Sequence, residues 1–249
     1  MKGHRRMRPG MLLRLTLGVL ISSCALGLLA EAQQSPGASA SQPAVETNTL
    51  VYKPPMRGAP VGRVGGGTRG SEGPLPALAV LTPDHTGLTG QTQPTLYWYL
   101  SRTATQPIEV TIIEAQGVKP LFETRLASPQ PAGVHHIRLA EHGVSLTPGV
   151  LYTWSVALIA DPNSRSQDIV AGGAIELTPA PETLRAQLAQ GGKAEQAKIY
   201  AAAGIWYDAM AALGELIDSA PQDKSLRQQR AALLKQVGVV DVAAYDLQQ

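Results

Sequence analysis

The chain of 249 residues is long enough for one or two domains with ordinary hydrophobic cores. Its formal net charge is +2, but residues 1–32 contain five basic residues and one acidic residue. The remainder therefore has 16 basic and 18 acidic residues and a net charge of −2. This charge gives no support to a nucleic-acid-binding function. The single cysteine, Cys24, also lies in residues 1–32, so the remainder has no thiol for a disulfide, a nucleophile or a metal site.

Residues 1–32 are predicted to be a secretory signal peptide. A basic segment precedes a mostly apolar stretch at residues 15–29, and Ala30-Glu31-Ala32 has the small-x-small pattern of a cleavage site before Gln33. We therefore expect a periplasmic or secreted protein.

Two alternatives remain for the same segment. The sequence Ile21-Ser22-Ser23-Cys24 resembles a lipobox, in which Cys24 would be lipidated. The segment could also stay uncleaved as a membrane anchor, although its apolar run is short for a full span. Membrane association is expected only in these two cases.

Residues 33–72 are predicted to be a disordered linker rich in Gly, Pro and Ser. Its end carries Arg57, Arg63 and Arg69 among glycines. A phosphate-binding loop would need a following Gly-Lys-Ser/Thr and a helix start, and neither is present. A basic tether is favoured, with contact to an anionic surface or partner as the alternative.

Residues 73–179 are predicted to form an immunoglobulin-like antiparallel β-sandwich. Apolar segments with a period of two are separated by Pro, Gly, Asn and Asp, which is typical of such folds. Leu146-Thr-Pro-Gly-Val-Leu-Tyr152 resembles a tyrosine corner, and predicts that the Tyr152 hydroxyl bonds to the preceding turn. Seven strands are predicted, at 75–81, 94–101, 107–114, 120–126, 134–139, 150–160 and 169–177.

Tyr97 and Tyr99 lie on the opposite face of their predicted strand from Trp98, which is assigned to the core. Exposed aromatics on such a face would stack on sugars, so a glycan-binding surface is one hypothesis. The alternative is that the two tyrosines cover a sheet face or pack against the helical region.

No catalytic or metal-binding arrangement is visible. His135 and His136 are adjacent on a predicted strand, so their side chains point to opposite faces and do not easily share a metal. The nucleophile elbow Gly-x-Ser-x-Gly is absent as well. We therefore predict no enzyme activity, no metal and no cofactor.

Residues 180–249 are predicted to be a tetratricopeptide-like helical region of four helices, separated by Gly191-Gly192, Gly204 and Pro221 and closed by Gly238. Trp206 falls on the apolar face of the third helix. Tyr207 falls on its flank, and is predicted to contact either the sandwich or an external partner.

The Arg- and Gly-rich segment at 57–70 and four motifs that follow it, in this order, resemble an uncharacterised bacterial family catalogued as domain of unknown function 928, over about residues 60–240. The resemblance implies an exported protein without an assigned activity, and it supplies no catalytic residues. The motifs are Pro-Thr-Leu-Tyr-Trp-Tyr (94–99), Leu-Thr-Pro-Gly-Val-Leu-Tyr-Thr-Trp (146–154), Asp-Pro-Asn-Ser-Arg-Ser (161–166) and Gly-Ile-Trp-Tyr-Asp-Ala (204–209).

Two classes of function follow from these patterns. The first is a non-enzymatic protein-interaction or structural module with a protein partner in the cell envelope. The second is a protein that binds a glycan or a small ligand. A hydrolase is less favoured than either, because no nucleophile and base are visible.

Overall fold

The computed structural model describes residues 50–55, 63–64 and 75–249. The predicted signal peptide, including Cys24, lies outside the described residues, as does most of the predicted linker. None of the helices in the described part of the chain is both long and apolar enough to cross a membrane.

The strands of the described residues form two separate sheets, one of three strands and one of five. Their bounds are β1 Leu78–Val80, β2 Gly87–Thr89, β3 Thr95–Leu100, β4 Ile108–Glu114, β5 Pro120–Leu126, β6 Gly133–Arg138, β7 Leu151–Leu158 and β8 Ile169–Leu177.

The order of strands is β1-β3-β6 in the small sheet and β2-β8-β7-β4-β5 in the large sheet. All pairs are antiparallel except β2 and β8, which are parallel. Burial along β7 alternates as predicted: Tyr152, Trp154 and Val156 are buried, whereas Leu151 and Thr153 are only half-buried.

The β2 strand was not predicted from the sequence. It has three residues and follows a polar segment that contains Asp84 and His85, so it offers no alternation to detect. Its parallel partner β8 lies far along the chain, and a hairpin pattern cannot reveal such a pair.

Five helices occupy the C-terminal part of the described residues. The first four agree with the predicted positions. Their bounds are α1 Glu182–Gln190, α2 Lys193–Ala202, α3 Trp206–Ser219, α4 Lys224–Gln236 and α5 Val240–Asp246. The fold is therefore α+β, with the helices following the sheets in the chain.

The short helix α5 was not predicted, because seven residues give too little periodicity to detect. A buried ion pair holds it in place: Arg230 of α4 donates to both carboxylate oxygens of Asp246, at 2.7 and 2.6 Å. Val242 and Ala243 of α5 are completely buried.

Helix α3 is the most deeply buried helix and packs on β2, β3, α2 and α4. The two sheets and the helices share one continuous hydrophobic core. The apolar face that the sequence assigned to this helix is buried through Trp206, Met210, Leu213 and Ile217.

Part of the predicted linker belongs to this core. Leu50 and Tyr52 are buried, with 1% and 6% of their surfaces exposed. The side-chain amide of Gln236 in α4 donates to the Leu50 carbonyl and accepts from the Tyr52 backbone N–H, at 2.8 and 2.9 Å. These contacts lie almost the whole domain apart in sequence, so local composition could not indicate them.

The predicted tyrosine corner is confirmed. The Tyr152 hydroxyl accepts a hydrogen bond of 3.2 Å from the backbone N–H of Thr147, and Tyr152 is buried. Gly149 has φ of +75°, a conformation that favours glycine and turns the chain into β7.

We expect Tyr152→Phe to lower the free energy of unfolding by about 1 kcal/mol, because the Thr147 N–H loses its acceptor while the ring still fills its site. Urea denaturation followed by tryptophan fluorescence measures this change. An unchanged midpoint would mean that the corner does not stabilise the sheet.

Candidate functional site

The connection between α2 and α3 brings the chain unusually close to residues 50–55. Gly204 has φ of +77°, and a Cβ atom at this position would lie 2.7 Å from the Lys53 carbonyl oxygen. Only glycine therefore fits here without a backbone shift. The close approach fixes where α3 begins.

The first residue of α3 docks on the chain that leaves β1. Trp206 is completely buried, and its indole Nε1 donates to the Leu81 carbonyl at 2.8 Å. Its ring meets the ring of Tyr52 edge to face, with centroids 5.0 Å apart. This contact fills the space beneath residues 50–55.

The second residue, Tyr207, has a hydroxyl group that joins three separate parts of the chain. It donates to the Ala174 carbonyl of β8 at 3.0 Å and accepts from the Trp154 indole N–H of β7 at 2.8 Å. Because its only proton goes to Ala174, the Thr82 hydroxyl 2.9 Å away must donate to it. Burial raises the pKa of Tyr207, so the phenol stays neutral and keeps this proton.

Of the two contacts predicted for Tyr207, the structure agrees with the one inside the chain, against the strands, and corrects the alternative of a surface for an external partner. Only 2% of its surface is exposed, and its hydroxyl contacts lie within the chain. The ring of Tyr207 fits because residue 87 of β2 is a glycine: a Cβ atom at Gly87 would lie 2.6 Å from this ring. On the same helix as Tyr207, the room beside Gly214 is taken by Tyr97.

The structure also corrects the hypothesis of an exposed aromatic face at Tyr97 and Tyr99. Their exposed fractions are 4% and 9%, because helices cover this face of the small sheet. The Tyr97 hydroxyl packs against Gly214 of α3, and the Tyr99 ring lies 5.0 Å from the Tyr245 ring of α5. Neither ring is available to stack on a sugar.

A pocket of about 400 Å³ lies beside this docking region. Its walls are the segment from Thr89 to Thr95, the end of β6 at Arg138, and the facing sides of α2 and α3. Most of the lining groups are amides, hydroxyls and charges. Its volume falls within the range of about 300–1,000 Å³ that is typical of small-molecule sites.

Asp208, the third residue of α3, is the most deeply buried charged residue of the pocket lining, with 4% of its surface exposed. Its Oδ2 accepts from the Thr89 hydroxyl at 2.8 Å and from the Gly90 N–H at 3.0 Å. Its Oδ1 is buried and has no hydrogen-bond partner among the described residues. A carboxylate oxygen left in this way is costly, because burial removes its water without supplying a donor.

Burial raises the pKa of Asp208, and the hydrogen bonds from Thr89 and Gly90 only partly oppose this effect. The phenol of Tyr200 in α2 lines the same pocket, and its pKa is raised by burial and by the nearby Asp208 charge.

The two basic residues of the lining already have acidic partners. Arg138 lies 3.3 Å from Glu141 and 3.6 Å from Asp218. Lys193 at the start of α2 lies 2.5 Å from Glu215 of α3. None of the described residues therefore forms an ion pair with the carboxylate of Asp208.

No group of three or more acidic, His or Cys side chains that could hold a metal occurs in the described parts of the chain. His135 stacks on Trp98 with centroids 5.7 Å apart, and His136 packs against Tyr97. The two imidazoles thus lie against aromatic rings of the neighbouring strand β3.

Two sheets packed with a helical region define an α+β protein. Its candidate small-molecule site is the polar pocket where helices α2 and α3 meet the β2–β3 connection. The model of the family described as Domain of Unknown Function (DUF928) matches residues 64–247, so the chain belongs to this family. The resemblance seen in the sequence is thereby confirmed. A comparison with curated proteins found no significant match.

Sequence reasoning did not find Asp208. Its neighbours Trp206 and Tyr207 drew attention as aromatics, whereas an aspartate in the first turn of a helix is usually explained by the helix dipole alone. The sequence did contain one signal for Asp208: this acidic residue directly follows Trp206 and Tyr207, which were expected to pack against other parts of the protein.

We expect Tyr207→Phe to destabilise the protein more than Tyr152→Phe. The lost hydroxyl leaves the Trp154 indole N–H and the Ala174 carbonyl unpaired in the interior, and each such group costs about 1–3 kcal/mol. Urea denaturation of both variants under identical conditions gives the comparison. Equal losses would show that the three-way hydrogen-bonded junction contributes little.

We expect Asp208→Asn to be at least as stable as the parent protein at neutral pH. The folded pKa of Asp208 lies above its unfolded value of about 3.9, so the free energy of unfolding falls as pH rises through this window. Asparagine removes this loss, and the variant's relative stability should therefore increase from pH 3 to pH 7. Urea denaturation across this range measures it.

Asp246→Asn is the matched control, because it makes the same substitution at a buried aspartate that is paired. It leaves Arg230 without a charged partner and should cost about 3–5 kcal/mol. If Asp208→Asn is destabilised to a similar extent at neutral pH, Asp208 is a structural residue.

Proposed function

We propose that this protein is a non-enzymatic binding module of the cell envelope, which takes a small polar ligand or side chain into the pocket at Asp208. The observation that carries the proposal is the buried Oδ1 of Asp208, which has no partner among the described residues, in a pocket of about 400 Å³. A ligand donor would complete this oxygen's hydrogen bonding.

The energetic cost of the site supports a binding role. A buried carboxyl group with a raised pKa and an incomplete set of hydrogen bonds lowers stability, and such groups occur preferentially where function requires them. The fixed position of α3 supports the same conclusion, since the contacts of Trp206 and Tyr207 hold Asp208 in place before any ligand binds.

The composition of the lining favours binding over catalysis. The described lining residues include no histidine, serine or cysteine. The hydroxyl of Thr89 does bond to the Asp208 carboxylate, but Thr89 is completely buried, so this hydroxyl is poorly placed to attack a bound molecule. Asp208 and the Tyr200 phenol are the nearest groups to an acid and base.

The sequence supports the proposed location in the cell envelope. Residues 1–32 have the pattern of a signal peptide, so the proposed ligand is one that the protein meets after export. A protein of the envelope presenting one side chain, a free small molecule, or a glycan fragment bound through its hydroxyls would each fit this setting.

The proposal includes a finer description of the fold. We propose an immunoglobulin-like sandwich, supported by the tyrosine corner at the start of β7 and by β4, β7 and β8 lying side by side in one sheet. We propose a tetratricopeptide-like arrangement for the helices, supported by the pairing of α2 with α3 and of α4 with α5.

Equilibrium dialysis against a small-molecule extract of the cell envelope tests the binding role. We expect the purified protein to retain one or more compounds that mass spectrometry identifies. Asp208→Asn should retain at least about tenfold less of each, because it loses a charge-assisted hydrogen bond.

Asp218→Asn provides the matched control for this experiment. The charge of Asp218 lies 3.6 Å from Arg138 of the pocket lining, so this variant reports how far a change of charge near the pocket alters retention without removing the Asp208 acceptor; its retention should fall much less than that of Asp208→Asn. Retention that is equal in all three proteins would contradict a binding role for the Asp208 pocket.

A further inference from the structure

The charges around Asp208 indicate which chemical group the pocket receives. We infer that the pocket binds its ligand through a primary ammonium group, which donates to Asp208 Oδ1 and forms an ion pair with the carboxylate. This inference rests on the proposed binding function, and it specifies the chemistry of the ligand.

The existing hydrogen bonds of the Asp208 carboxylate determine whether the ligand must donate or accept. Oδ2 already accepts two hydrogen bonds, from the Thr89 hydroxyl and the Gly90 N–H. Oδ1 is the oxygen without a partner among the described residues, and an ionised carboxylate oxygen only accepts. The ligand atom that meets it must therefore be a donor.

The charge balance of the lining favours a donor that is also a cation. Arg138 is paired with Glu141 and Asp218, and Lys193 is paired with Glu215. These pairs leave the charge on Asp208 without a counterion in the described lining. A cation would compensate the buried charge of the carboxylate, whereas a neutral donor would leave that charge uncompensated.

The rest of the lining suits the remaining ammonium protons. A primary ammonium has three donors, and after one reaches Asp208 the others need acceptors. The side-chain oxygens of Gln91, Gln93 and Thr95 line the same pocket and can supply them. The aromatic ring of Tyr200 is also part of the lining, and aromatic rings attract cations.

Butylammonium chloride, 1-butanol and butyltrimethylammonium chloride separate the alternatives. The first two differ only in their polar head group, and the third keeps the charge but has no N–H donor. NMR titration of the purified protein follows the amide signals of pocket residues such as Gln91 and the side-chain carboxyl carbon of Asp208.

We expect butylammonium to shift these signals saturably, and to bind at least about tenfold more tightly than either of the other probes. We also expect it to lower the pKa of Asp208, because a bound cation favours the ionised carboxylate. Equal binding of 1-butanol would show that the pocket recognises hydroxyl groups, and equal binding of butyltrimethylammonium would show that it recognises charge without hydrogen bonding. Either result overturns the inference.

Two variants connect the binding to Asp208. Asp208→Asn should weaken butylammonium binding at least about tenfold, whereas Asp241→Asn, at an exposed residue of α5 outside the pocket lining, should leave it unchanged. Butylammonium binding that survives in Asp208→Asn would also overturn the inference.

A further probe, Nα-acetyl-lysine N-methylamide, distinguishes the two sources of an ammonium group. Tighter binding of this probe than of butylammonium would indicate a lysine side chain of a protein partner, and the reverse would indicate a free amine.

The dialysis experiment separates failure of this inference from failure of the proposed function. If the retained compounds depend on Asp208 but carry no ammonium group, the pocket binds a ligand of another class, and only the inference is wrong. If neither the probes nor the extract compounds depend on Asp208, both are wrong.

Discussion

The hydroxyl group of Tyr207 is the contact on which the arrangement of this protein depends. It is a single buried oxygen that accepts from the chain after β1 and from β7, and donates to β8, with its full capacity used. Because each of these bonds is in the interior, moving α3 by a fraction of its diameter would leave several polar groups unpaired. The helix therefore has one permitted position on the sheets.

The candidate site is a consequence of this position. Asp208 follows Tyr207 directly, so the residue that fixes the helix also fixes the carboxylate beside the β2–β3 connection. The side-chain polar atoms of Trp206 and Tyr207 are all hydrogen-bonded, whereas one side-chain oxygen of Asp208 is not. Trp206 and Tyr207 therefore stabilise the fold, whereas Asp208 destabilises it. This pattern is expected of a binding residue on a rigid support.

Sequence reasoning succeeded where a signal was local. The turn at 146–149, the alternation along β7 and the first four helices all follow from neighbours within a few residues. It left open whether Tyr207 contacts the strands or an external partner, because the room for this ring is supplied by Gly87, which lies over a hundred residues away. It missed Asp208 for a related reason: an aspartate without a partner is recognisable only once its surroundings are known.

Leu50 and Tyr52 are held by Gln236, so the two ends of the described chain close on each other across a separation of 186 residues. Such a contact forms late, because the entropy of closing so long a loop must first be overcome by the packing of everything between its ends. A chain still emerging from the ribosome lacks this closure until α4 has been made. This part of the core therefore forms only after the segment from Leu50 to Gln236 has been synthesised.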